Sequence, residues 1–106
     1  MGYEELYDEA IELFKSKKVE ESLKIVNKVL KGTKNNELYK NLHVRALNLH
    51  AAYNEDRGNI KEALRDLKEV NRLDPYNINY LNNIAQIYMK CQKEEKAKVY
   101  FEKVIF

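Results

Sequence analysis

The sequence predicts an all-α fold, about six helices paired into antiparallel hairpins that form one domain over residues 1–106, and three observations predict it. Apolar residues recur at three- and four-residue spacing nearly everywhere, which is the period of a buried helix face. Only three glycines and one proline interrupt the 106 residues, and no run of residues competes as a strand. Small residues also return at a fixed interval: Ala51 and Ala85 stand 34 residues apart, as do Ala63 and Ala97. Leu47 with Leu81, Leu67 with Phe101, and Val70 with Val104 keep the same spacing.

Tyr3, Leu6, Tyr7, Ala10, Ile11, Leu13 and Phe14 mark the first helix. Val19, Leu23, Val26, Val29 and Leu30 mark the second, which Gly32 is expected to close by taking the left-handed conformation. Asn35 or Asn36 then caps the next amino terminus. From Glu37 to about Arg57, Leu38, Leu42, Leu47 and Ala51 predict one unbroken helix. Gly58 turns the chain. Asn59 followed by Glu62 has the form of a capping box, ahead of a helix whose inward face is Ile60, Ala63, Leu64, Leu67, Val70 and Leu73. Asp74-Pro75 ends it, because proline lacks the backbone donor and disfavours helical geometry in the preceding residue. A fifth helix carries Leu81, Ile84, Ala85 and Tyr88, and a sixth carries Ala97, Phe101, Val104 and Ile105.

The order Leu47, Ala51, Gly58, Ala63, Leu67, Pro75 resembles the tetratricopeptide repeat, a helix-turn-helix unit of the same length. The resemblance divides the chain into units of about 3–36, 37–77 and 78–106, the last one short of its full length. Departures are visible. His50 and Asn54 stand where the family prefers leucine and tyrosine, Gln92 replaces the turn glycine, Ser22 an alanine and Lys34 the proline. Ala10 and Ala51 are 41 residues apart, so the second unit carries seven extra residues, about two helical turns. These are expected to lengthen the third helix so that it projects beyond its neighbours.

The resemblance implies a right-handed solenoid whose concave groove, lined by the first helix of each hairpin, binds a peptide or protein segment without chemistry. By matching position, the groove side carries Tyr7, Ile11, Phe14 and Lys15, then Arg45 and Asn48, then Asn79, Asn82, Asn83 and Gln86, with Glu4, Ala52, Glu55 and Lys90 beside them. Amides suit peptide recognition because each offers donors and acceptors to a backbone. The same amides, on an exposed face of an asparagine-rich chain, also read as solvated surface. The family's clamp for a carboxy-terminal carboxylate is missing: Tyr7, Ile11, Leu49, Asn79 and Asn83 stand where it needs lysine, asparagine and arginine. Phe101, Val104, Ile105 and Phe106 would leave the last helix with an uncovered apolar face. That supports an alternative, a structural module that dimerises or stacks through this helix.

Composition narrows the classes further. With 19 basic and 17 acidic residues the formal charge is +2, the charges are interspersed, and no stripe of the kind nucleic acid needs stands out. Lys15, Lys17 and Lys18 read as a solvated helix end. No apolar run approaches the roughly 20 residues of a membrane span, the acidic amino terminus is unlike a secretory leader, and the lone Cys91 fits a reducing compartment, so a cytoplasmic location is expected. His43 and His50 are seven apart, too far to share a metal on one helix face, and His50 is expected to pack within its hairpin. No phosphate-cradling glycine loop or nucleophile constellation is present, so neither enzyme activity nor a cofactor is expected.

Overall fold

The computed structural model describes residues 2–105, of Ile105 the backbone alone. Six α-helices follow one another: α1 (Tyr3–Lys15), α2 (Val19–Thr33), α3 (Lys40–Asp56), α4 (Ile60–Leu73), α5 (Ile78–Lys90) and α6 (Glu94–Ile105). They pair as the hairpins α1/α2, α3/α4 and α5/α6, and each hairpin packs on the next through α2 against α3 and α4 against α5. Two layers result, α1, α3 and α5 in one and α2, α4 and α6 in the other, in a body of 43 × 29 × 18 Å. This is an all-α hairpin solenoid.

Each hairpin closes where two small residues let the backbones approach. Ala10 faces Ser22, Ala51 faces Ala63 and Ala85 faces Ala97, all at most 2% exposed. The serine is tolerated because its buried hydroxyl is paired, donating to the Ala10 carbonyl at 2.7 Å. Bulky side chains such as Leu67, Ile84 and Tyr88 fill the space beside these contacts.

The three hairpin turns share one geometry. Lys17, Gly58 and Gln92 take φ of 68°, 81° and 59°. The next residue's N–H donates five residues back in each case, Lys18 to Leu13 at 2.9 Å, Asn59 to Asn54 at 2.8 Å and Lys93 to Tyr88 at 2.9 Å. This is the Schellman closure, in which orphan helix carbonyls are satisfied by a left-handed residue after the helix. Lys17 and Gln92 accept a conformation that costs a side-chain-bearing residue roughly 1 kcal/mol, so the hydrogen bonds hold the turn without glycine.

Four local expectations are corrected. Gly32 lies inside α2 rather than closing it, and the left-handed residue is Asn35, φ 57°. The glycine is needed for another reason: a Cβ at position 32 would collide with the Tyr3 ring. The third helix is not continuous from Glu37. Residues Glu37–Tyr39 form a 3-10 turn capped by the Asn36 side chain, which accepts from the Leu38 N–H at 3.0 Å, and Leu38 stays exposed instead of joining the inward face. The seven added residues are therefore divided between that turn and α3, which at 17 residues exceeds the 13 of α1 and α5. Asn59 sits at the start of α4 without a side-chain capping bond. Asn77 is the better cap, its carbonyl oxygen accepting from the N–H groups of Asn79 and Tyr80 at the start of α5.

The α3/α4 hairpin carries a polar seam. His50 Nδ1–H donates to Asp66 Oδ2 at 2.6 Å and Asn54 Nδ2–H donates to the same oxygen at 3.2 Å. Asn54 is 6% exposed, so its amide depends on that carboxylate. The bond to Asp66 raises the His50 pKa above its ordinary value, against an opposing effect of burial.

Candidate functional site

Some of the sequence-nominated groove residues of α1, α3 and α5 meet in two clusters. In the first, Arg45 on α3 reaches across to α1, with Nη2 donating to Glu4 Oε1 at 2.9 Å and the guanidinium lying 5.2 Å from the Tyr7 ring centroid. Burial pushes the Tyr7 phenol pKa upward and Arg45 partly offsets it. Arg45 acts in the same direction on Tyr80 of α5, whose pKa burial also raises. Tyr80, which packs against Val44, Leu47 and Val70, thus lies within electrostatic reach of both Tyr7 and Arg45, and sequence reasoning missed it. Its signal was present, an aromatic residue one position after Asn79 on the same helix.

In the second cluster, Asn83 Nδ2 donates to Asn48 Oδ1 at 3.3 Å, bridging α5 to α3. A cavity of about 180 Å³ opens beside the pair, with Ala52, Glu55 and Ile87 in its wall. Glu55 of this wall also forms an ion pair with Lys90 of α5. One mutual bond leaves each amide with further capacity: Asn48 keeps its NH₂ and Asn83 its carbonyl oxygen. An extended backbone crossing here would meet a donor and an acceptor already oriented.

The remaining nominated residues are placed differently. Tyr7, Ile11 and Phe14 are half-buried against Ala10, Val26 and Leu49, so much of their apolar surface is already used between α1, α2 and α3. Lys15, Asn79 and Gln86 are exposed and Asn82 is half-buried. At the other end, Phe101 and Val104 are half-buried, while Phe106 and the side chain of Ile105 lie outside the described residues.

Residues weighed for chemistry are accounted for structurally. Thr33 Oγ1 donates to the Val29 carbonyl, so the 2.8 Å contact between Thr33 and His43 is made by His43 Nδ1–H donating to the threonine oxygen. Burial lowers the His43 pKa. His50 lies in the seam described above. Cys91 is partly buried against the α5/α6 core. Among the described residues no group of three histidine, cysteine or acidic side chains is placed to hold a metal ion, and no helix is long and apolar enough to cross a membrane.

Residues 78–105 match the family model for the tetratricopeptide repeat. That match covers one hairpin, which is similar in sequence to a tetratricopeptide repeat. The matched hairpin is α5/α6, and the turn geometry and small-residue contacts of that repeat recur in the two hairpins before it. No curated protein matches the chain. Among solved structures, MamA from Desulfovibrio magneticus RS-1, residues 41 to the end, is similar with a TM-score of 0.58 and 17% identity, over 98% of this chain and 74% of that one. At that identity the likeness is one of fold. Repeats of this family generally serve as protein-interaction modules.

Proposed function

We propose that the α1/α3/α5 face binds an extended peptide or protein segment, without catalysis, between the Arg45 cluster and the Asn48–Asn83 pair. The observation that carries this reading is the paired amide bridge beside the 180 Å³ cavity. Its unspent donor and acceptor can pair with a peptide backbone whatever the side chains, and the cavity receives one small side chain. Arg45, already balanced by Glu4, orients a chain rather than supplying free charge. Peptides selected from a random library on the parent protein test the assignment. Asn83→Ala and Asn82→Ala should weaken their binding about tenfold or more while the helical circular dichroism stays unchanged, and Phe14→Ala should do so by a smaller factor. Equal affinity for the parent and all three variants refutes it.

A second reading, self-association through the last helix, has its own support. A groove of about 650 Å³ lies between α4 and α6, lined by Leu81, Val104 and Ile78 and flanked by a Tyr76 that is 90% exposed. Apolar surface of this kind commonly marks an interaction site. Light scattering across a concentration series separates the readings: a dimer that Val104→Glu dissociates favours this face, whereas a monomer throughout rejects it.

A further inference from the structure

The opposite layer carries a charge imbalance that the peptide-binding reading leaves unused. From Ser22 to Asn36 the chain holds Lys24, Lys28, Lys31 and Lys34 and no acidic residue, although α4, in the next hairpin, interleaves Glu62, Asp66 and Glu69 with its basic residues. In α4, Arg65 pairs with Glu62 at 3.2 Å and Arg72 with Glu69 at 2.5 Å. Neither the three lysines of α2 nor Lys34 just after it forms an ion pair among the described residues. The interspersion seen in the whole sequence therefore fails locally. Successive lysines three and four apart lie side by side on a helix and repel, at a cost of about 0.2–0.5 kcal/mol per pair.

These lysines form one wall of a groove of about 580 Å³ running between α2 and α4 over α3. Its apolar lining comes from Leu30 and Leu47, and Glu69 of α4 stands on the far side. Lys24 to Lys31 spans roughly 10 Å at the helical rise, about two turns. An apolar floor beside a row of unneutralised cations at helical spacing matches an amphipathic acidic helix, whose carboxylates repeat at the same intervals. Nucleic acid fits less well: the one ring in the lining, the half-buried His43 imidazole, is already hydrogen-bonded to Thr33, and Glu69 would face a phosphate backbone.

We propose that the α2/α4 groove is a second docking surface, which receives an acidic amphipathic helix of a partner protein. Its glutamates or aspartates pair with Lys24, Lys28 and Lys31 while its apolar side chains rest over Leu30 and Leu47. The two faces would let one small domain hold two protein segments at once, one in each layer.

The test is fluorescence anisotropy with a labelled synthetic helix of about four turns, with glutamates on one face and leucines on the adjoining one. The parent protein should bind it, more weakly as salt rises. Lys24→Glu/Lys28→Glu/Lys31→Glu should reduce affinity at least about tenfold, as should replacing the peptide's leucines by serines. Asn82→Ala should leave binding unchanged, which separates this surface from the α1/α3/α5 face. The corresponding triple Lys→Gln variant keeps side-chain length and supplies the measurement if the charge reversal unfolds the protein. Absence of binding to the parent, or parent-like binding by the folded triple variant, overturns the proposal. So does tighter, lysine-dependent binding of phosphatidylserine vesicles or duplex DNA than of the peptide, which would assign the groove to a lipid surface or to nucleic acid.

Discussion

Asn54 and Asp66 in the second hairpin occupy the places that Tyr88 and Tyr100 hold in the third, and the two pairs join their helices by different physics. The tyrosine rings stack with centroids 5.7 Å apart and are worth roughly 0.5–1.5 kcal/mol beyond the area they bury. The stack is tolerant, since loss of one ring leaves the other with its apolar neighbours. The seam of His50, Asn54 and Asp66 relies on one carboxylate oxygen that accepts from both partners. It is unforgiving, because removing the shared acceptor strands two donors in a part-buried site. Similar frames can thus carry either a robust or a brittle joint, and the brittle one sits in the central hairpin, which contacts both others.

The largest test of this contrast is Asp66→Ala, which should cost about 3 kcal/mol in urea unfolding. Tyr100→Leu should cost only about 1 kcal/mol. Equal losses would erase the distinction. Next in size is a transplant of the third hairpin's solution, His50→Ile with Asn54→Tyr and Asp66→Tyr. Replacing a satisfied polar cluster by packed apolar groups is commonly neutral or stabilising, so the triple variant should match or exceed the parent by up to about 2 kcal/mol. A large loss would show that the polar seam suits this backbone better than rings do.

Acidity separates two sites on α3 of the second hairpin. The folded pKa of His50 lies above its ordinary 6.5, so its contribution to stability is complete below 6.5 and is lost as pH rises through the folded value. His43 has the reverse sign: its folded pKa is lowered, so its contribution is present above 6.5 and is lost as pH falls through the folded value. Imidazole proton shifts followed by NMR should show His50 titrating above His43, and Asp66→Asn should bring the His50 midpoint down. Coincident midpoints in the parent would contradict both assignments.

The smallest test concerns the turns. Gln92→Gly in the third hairpin should raise stability by about 0.5–1 kcal/mol, by removing a side chain from the left-handed region, and Gly58→Gln in the second should lower it by a similar amount. Thermal midpoints measure both. Unchanged midpoints would mean that the rest of each turn, not the left-handed residue, sets its energy.

Much of the frame was legible in the residues. Ala51 with Ala63 and Ala85 with Ala97 announced where backbones meet, because only a small side chain fits between closely packed helices. Asp74-Pro75 announced a helix end for an equally local reason. Gly32 misled because glycine serves two purposes, left-handed geometry and close approach, and only the position of the Tyr3 ring distinguishes them. The start of the third helix was misplaced because Leu38 continues an apolar spacing that the 3-10 turn takes out to solvent. Of the candidate site, the helices that supply it were readable from the repeat. The union of Tyr7, Arg45 and Tyr80 was not.

The sequence by itself determined the six helices, apart from the end of the second and the start of the third, and with them the hairpins and the repeat, since these depend on residue spacings within one or two helices. Tertiary structure alone decided which charges find partners on another helix. Arg45 meets Glu4 across 41 positions of chain, whereas the lysines of α2 meet no carboxylate among the described residues. Charge neutralisation depends on distance in space, and in a stacked solenoid that distance is fixed by how hairpins sit on one another rather than by residue order.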